Sequence, residues 1–307
     1  MLTNFLKKTT PVNFLVISGL AVFYLVLSLI DLPVEGFLGN GLGAKVFVIT
    51  LFTVLLLGLN FFVYSAKISR NTTLIYLYFT LFLCLFPGLI NQYDFLMSQG
   101  ALIVALWRLM SLNPKELKVS PLFDIGFWLG VSGILVPETL IFLPILYLYF
   151  FSQGIRYLRF LVLPIISVSV VLFLYFTYCY VWLDPMSFDR MWSWGFTSFV
   201  FYGDSFKLYF YITILLLMFI HGSGVYNKNQ QVIKKDTSLR MELLLALFIF
   251  AGLMLLSTAN KYQGVYIYLS LPIAIYMANY IDFMKEGWIR ESIFIFSLSL
   301  PLISYFL

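Results

Sequence analysis

Charge is scarce in this chain, and histidine and cysteine are scarcer. Asp, Glu, Lys and Arg together supply 11 % of the 307 residues, with one histidine and two cysteines. Soluble domains carry about 25 % charge and about 45–50 % apolar residues. Here the hydrophobic share is 62 %, more apolar surface than a soluble fold of this length can bury. Two cysteines inside apolar runs, Cys84 and Cys179, exclude a disulfide framework and a cysteine zinc site. The lone histidine, His221, has no partner spacing for a metal, and neither a glycine-rich phosphate loop nor a nucleophile elbow is present. Ionisable residues within the apolar runs are almost missing, which argues against an ion-coupled transporter with a proton or cation relay. No small-residue cleavage pattern follows the first apolar run, so no cleavable signal peptide is expected.

What the chain has is long hydrophobic runs. A helix needs about 20 apolar residues to cross a bilayer. By that measure spans are expected at 12–30, 46–65, 73–90, 96–111, 124–136, 138–152, 158–182, 208–222, 241–257, 264–281 and 292–307. The expected fold is therefore all-α, a polytopic transmembrane bundle of about eleven spans. The chain reads as one integral membrane domain over 1–307, with no domain boundary and no internal repeat. Lys and Arg placement sets its orientation. Of nineteen basic residues, Lys45, Arg190, Lys207 and Lys261 fall on the outer side and the other fifteen on the inner side. That bias puts the N-terminus in the cytoplasm and the C-terminus outside. The net charge of +5 is spread thinly between apolar segments and implies no nucleic-acid partner.

The run Phe123–Ser152 organises this reading. Thirty residues are too many for one comfortable span and too few for two full ones. Lys115 and Lys118 precede it while Arg156 and Arg159 follow it, so both flanks read as cytoplasmic and the run as a short helical hairpin over 124–152. Pro137 breaks the first helix, because the residue before a proline is pushed out of the helical region. Glu138 then stands at the turn. A carboxylate at that depth is expensive against lipid and marks a functional candidate, or else it favours the start of the second helix electrostatically.

The outer side gathers acids: Asp31 and Glu35 after the first span, Asp94, Glu138, then Asp184, Asp189 and Asp204. Lys261 and Tyr262 stand where the tenth span begins. Such carboxylates suit a general base or a ligand for a divalent cation against a lipid diphosphate, and a lysine suits the phosphate itself. Asp31, Glu35 and Glu138 are the candidate catalytic residues, Lys261 and Tyr262 the candidate substrate-binding pair. No cofactor is required, though a divalent cation would fit. The aromatic-rich stretch 184–207, with Trp192, Trp194 and Tyr202, reads as an interfacial helix or a substrate-contacting loop.

Two resemblances bear on these residues. The segments LNFFVYSAKISRNTTLIYLYFTLFLCLFPG, LIVALWRLMSLNPKEL and FDIGFWLGVSGIL, with Lys7–Lys8 ahead of Pro11–Val12–Asn13, resemble a domain-of-unknown-function family of multi-pass inner-membrane proteins from flavobacteria and their relatives. That resemblance implies a bacterial inner membrane with its outer face in the periplasm. More loosely, the chain is similar to the type-C glycosyltransferases, which take sugars from polyprenyl-phosphate carriers. GFWLGVSGILVPETLIFLP is similar to their Pro-Glu run, and KYQGVYIYLSLPIAIYMA to their basic-aromatic span entrance. Val136 stands where those enzymes place Arg or Lys, and the first outer loop, 31–45, is short.

Two functions follow. One is a cell-envelope glycosyltransferase-like protein with membrane lipids and a polyprenyl-phosphate carrier as partners. The other is a non-enzymatic scaffold for further envelope membrane proteins. A transporter comes third.

Overall fold

The computed structural model describes residues 10–31, 42–66, 68, 72–85, 92–113, 116–155, 157–182, 220, 223, 235–257, 263–284 and 287–306. Within them lie ten α-helices and two 3-10 turns, with no β-strand among the described residues. The helices are α1 (Pro11–Asp31), α2 (Leu42–Ala66), α3 (Thr72–Leu85), α4 (Tyr93–Met110), α5 (Val119–Leu135), α6 (Leu143–Ser152), α7 (Leu158–Trp182), α8 (Lys235–Ser257), α9 (Ile267–Phe283) and α10 (Gly287–Phe306). The 3-10 turns are Pro137–Phe142 and Gln263–Tyr266. Ten of the expected spans overlap these helical elements, though residues 86–90 of the span 73–90 lie outside the described residues; the eleventh, 208–222, lies outside them except for Ile220.

Four helices among the described residues are long and apolar enough to cross a membrane: Lys45–Ala66, Leu158–Trp182, Ser238–Leu255 and Gly264–Phe283. They sort by position. In α7 only 22 % of the apolar window is buried, whereas that of Gly264–Phe283 is wholly buried and is the least apolar of the four. A helix against lipid must be apolar outward, while one enclosed by protein can carry polar groups if neighbours satisfy them. The most enclosed helix is therefore α9, with α3, α8 and α4 packed around it.

Paired contacts fix helix directions. Phe47 meets Tyr93 and Phe61 meets Trp107, so α2 and α4 run parallel. Ser98 meets Ser132 while Arg108 meets Asp124, so α4 and α5 run antiparallel. Gly126 lies on Pro164 and Gly130 on Val168 and Val171, so α5 and α7 run parallel.

Between those parallel helices the chain must come back, and 137–152 is the stretch that does it. Six residues of 3-10 turn and ten of α-helix cover about 27 Å at about 2.0 and 1.5 Å per residue. The break falls at Pro137, the first residue of the 3-10 turn. The hairpin is splayed, however: α6 packs mainly on α8, and Tyr147 donates to the Leu161 carbonyl of α7 at 3.0 Å. The α5 face that would have met α6 is already occupied by α4 and α7.

The contact of α5 with α7 is close because Gly126 and Gly130 carry no side chain. A Cβ at Gly126 would strike the Pro164 carbonyl and come within 2.8 Å of its Cα; one at Gly130 would come within 2.9 Å of Val171 Cβ. Small residues four apart are how membrane-type helices bring their backbones together. Ser167 completes the contact by donating to the Phe123 carbonyl at 2.7 Å.

Candidate functional site

The head of α9 carries a buried polar cluster. Tyr268 donates to Ser98 Oγ at 2.7 Å, and Ser98 Oγ lies 2.7 Å from Ser132 Oγ. Ser132 also donates to the Ser98 carbonyl at 3.1 Å. Three helices, α9, α4 and α5, thus meet through three hydroxyls, all buried. Their mutual pairing is what allows them there, since an unpaired polar group in an apolar bundle costs about 1–3 kcal/mol. The rings of Phe95 and Phe142 flank Tyr268, with centroids 6.5 and 5.6 Å away.

Glu138 belongs to the same locality. It is the second residue of the 3-10 turn and only partly buried, four residues before Phe142, whose ring packs on Tyr268. The turn that leads into α9 is latched to the residue that opens α4. The Gly264 N–H donates to Gln92 Oε1 at 2.9 Å, and a Cβ at Gly264 would collide with that oxygen and with the Phe95 ring.

Of the five residues expected from the sequence to form the site, Glu138 is the one whose side chain is described. Asp31 is the last residue of α1, with its side chain outside the described ones; Glu35, Lys261 and Tyr262 lie outside the described residues altogether. Asp94 sits exposed in the first turn of α4, while Asp184, Asp189, Asp204 and His221 are outside the described residues. Among the described residues no group of three His, Cys, Asp or Glu side chains is placed to hold a metal ion. Cys84 and Cys179 are free and buried.

Sequence reading missed Ser98, Ser132, Tyr268 and Gln99. Their signal was present: serine and glutamine inside otherwise apolar runs have to face protein rather than lipid. Glu138 drew attention because it is charged, whereas neutral polar residues are common enough in apolar helices to pass unremarked.

The fold and the site define a class: an all-helical protein with membrane-type helices, close glycine packing and a polar cluster buried at the head of its most enclosed helix. Within that class the chain belongs to a family described as a family of unknown function, DUF6427, whose profile matches residues 1–307. No curated protein and no solved structure matches the chain.

Proposed function

We propose that this is a multi-pass protein of the bacterial inner membrane that binds the head group of a polyprenyl-phosphate-linked sugar at its periplasmic face. The observation that carries the head-group reading is the packing of the Phe142 ring, from the same 3-10 turn as Glu138, on Tyr268, with centroids 5.6 Å apart. The turn with the acid of the Pro-Glu run thus lies against the helix that Lys261 and Tyr262 precede in sequence. In this reading Lys261 pairs with the carrier phosphate and Tyr262 packs beside it. Asp31 or Glu35 serves as base or as ligand for a divalent cation, and Glu138 supports that acid. Transfer would be driven by an acid that activates a hydroxyl while cations stabilise the leaving phosphate.

Support for the membrane setting comes from α7. Tyr157 and Leu158 are exposed at its start, and Tyr178, Tyr180 and Trp182 at its end. Between Arg159 and Tyr178 the exposed side chains are apolar but for Ser169 and Thr177, and the nineteen helical steps from one to the other measure about 29 Å, close to the thickness of a hydrocarbon core. Aromatic residues at both limits suit the two interfaces. In the same reading about eleven crossings put the N-terminus in the cytoplasm and the C-terminus in the periplasm.

The test is native mass spectrometry of the purified protein with polyprenyl-phosphate carriers, beside the folded Asp31→Ala/Glu138→Ala variant. Carrier retained by the wild type and weakened in the variant is the expected result; no carrier on either overturns the reading. A second reading, a non-enzymatic scaffold, is favoured by the closed pairing of Ser98, Ser132 and Tyr268, which locks three helices together. Envelope proteins that co-purify in place of the carrier would support it.

A further inference from the structure

Gln99 lies beside the hydroxyl cluster, one residue after Ser98 on α4, and is fully buried. Neither Nε2 nor Oε1 of its amide finds a hydrogen-bond partner among the described residues. Seven residues separate it from Gln92, so the two lie on one face of the helix, and Gln92 already holds the turn that enters α9. Pro272 lies inside α9, one turn after Tyr268. Proline has no N–H, so the Tyr268 carbonyl four residues earlier lacks its helical donor.

We infer that Gln99 is the floor of a small binding site between α4 and α9 that takes a neutral hydroxyl group. The occupant must donate and accept at once, because the amide offers a donor and an acceptor. It must also be uncharged, because the neighbouring side chains Ser98, Ser132 and Tyr268 are neutral and buried. A water molecule supplies this chemistry, and so does a hydroxyl of a lipid-linked sugar. Buried polar groups left unsatisfied by protein are where internal water is found. The site stands without the head-group reading.

Cysteine substitution tests it in the full-length protein in lipid nanodiscs. With Cys84 and Cys179 replaced by alanine, Gln99→Cys is compared with Leu102→Cys, a buried apolar neighbour on the same helix. A thiol in apolar surroundings is inert, so Gln99→Cys should react with a small polar methanethiosulfonate at least roughly ten-fold faster. Equal inertness of the two overturns the inference. If labelling slows when a polyprenyl-phosphate sugar is added, the occupant is the sugar's hydroxyl; if it is unchanged, the occupant is water. Carrier binding by mass spectrometry is read separately, so failure of the head-group reading and failure of this site are distinguishable. Gln99→Leu gives an independent check. Loss of an occupied site lowers the melting temperature by several degrees, whereas an unchanged or raised one shows that the amide had no partner to lose.

Discussion

At the scale of single residues, glycines separate by what a methyl group would meet. At Gly126 it meets backbone, the Pro164 carbonyl and Cα, which cannot turn aside. At Gly130 it meets the branched Val171 side chain, and at Gly133 the flexible end of Leu140. Around Gly58 nothing lies within 4 Å. Overpacking costs about 1–3 kcal/mol or more, while alanine is favoured over glycine inside a helix by about 1 kcal/mol. Alanine substitutions should therefore destabilise in the order Gly126, Gly130, Gly133, with Gly58→Ala neutral or stabilising, measured as unfolding midpoints in mild detergent. A flat series would mean that α5 and α7 are not in backbone contact. Tyr268→Phe removes one buried donor and should cost about 1 kcal/mol. Its coupling to Ser98→Ala, the hydroxyl it bonds, should be about 0.6 kcal/mol in a double-mutant cycle, the usual size between membrane helices.

At the scale of helices, burial and polarity run opposite to their relation in water-soluble proteins. The enclosed α9 holds Tyr268, Ser270, Tyr276 and Asn279, all buried, whereas α7 presents Phe173, Leu174 and Phe176 outward. Tyr276 donates to the Met241 carbonyl at 3.0 Å, so its hydroxyl joins α9 to the start of α8. Substitutions should respond accordingly. Ala278→Leu, within a fully enclosed helix, should cost about 1–3 kcal/mol by overpacking. Leu174→Ala, on a side chain 60 % exposed, should leave the unfolding midpoint nearly unchanged. Comparable losses at both positions would place α7 inside an assembly instead of against lipid.

At the scale of the whole molecule, helix direction sets topology. The Arg240 guanidinium donates to the Ala66 carbonyl, so α8 begins where α2 ends. Since α2 runs parallel to α4 and antiparallel to α5, α8 starts at the end where α5 and α7 also start. A chain leaving α7 at one face and starting α8 at the other fits the span expected at 208–222. Cysteines at 204 and 228 should then label from opposite sides, 204 from the periplasm and 228 from the cytoplasm, with an impermeant maleimide on cells and on inverted vesicles. Labelling from one side alone would remove that span.

Much of this architecture was legible in the chain itself, because lipid and water impose their demands residue by residue. An apolar run must span or be buried, lysine and arginine sort between faces, and Pro137 must interrupt a helix wherever it is packed. Those local rules determined the helical class and the break before Glu138, while helix ends shifted by up to about six residues. What only the tertiary structure decided was partnership. Which helix is most enclosed depends on side chains from distant segments satisfying Tyr268, Tyr276 and Ser98, and that pairing has no local signature. The closeness of Gly126 to Pro164 and the unpaired amide of Gln99 arise the same way. Each is a relation between surfaces far apart in sequence, where shape and hydrogen bonding decide the neighbour and hydrophobicity alone, similar across many helices, does not.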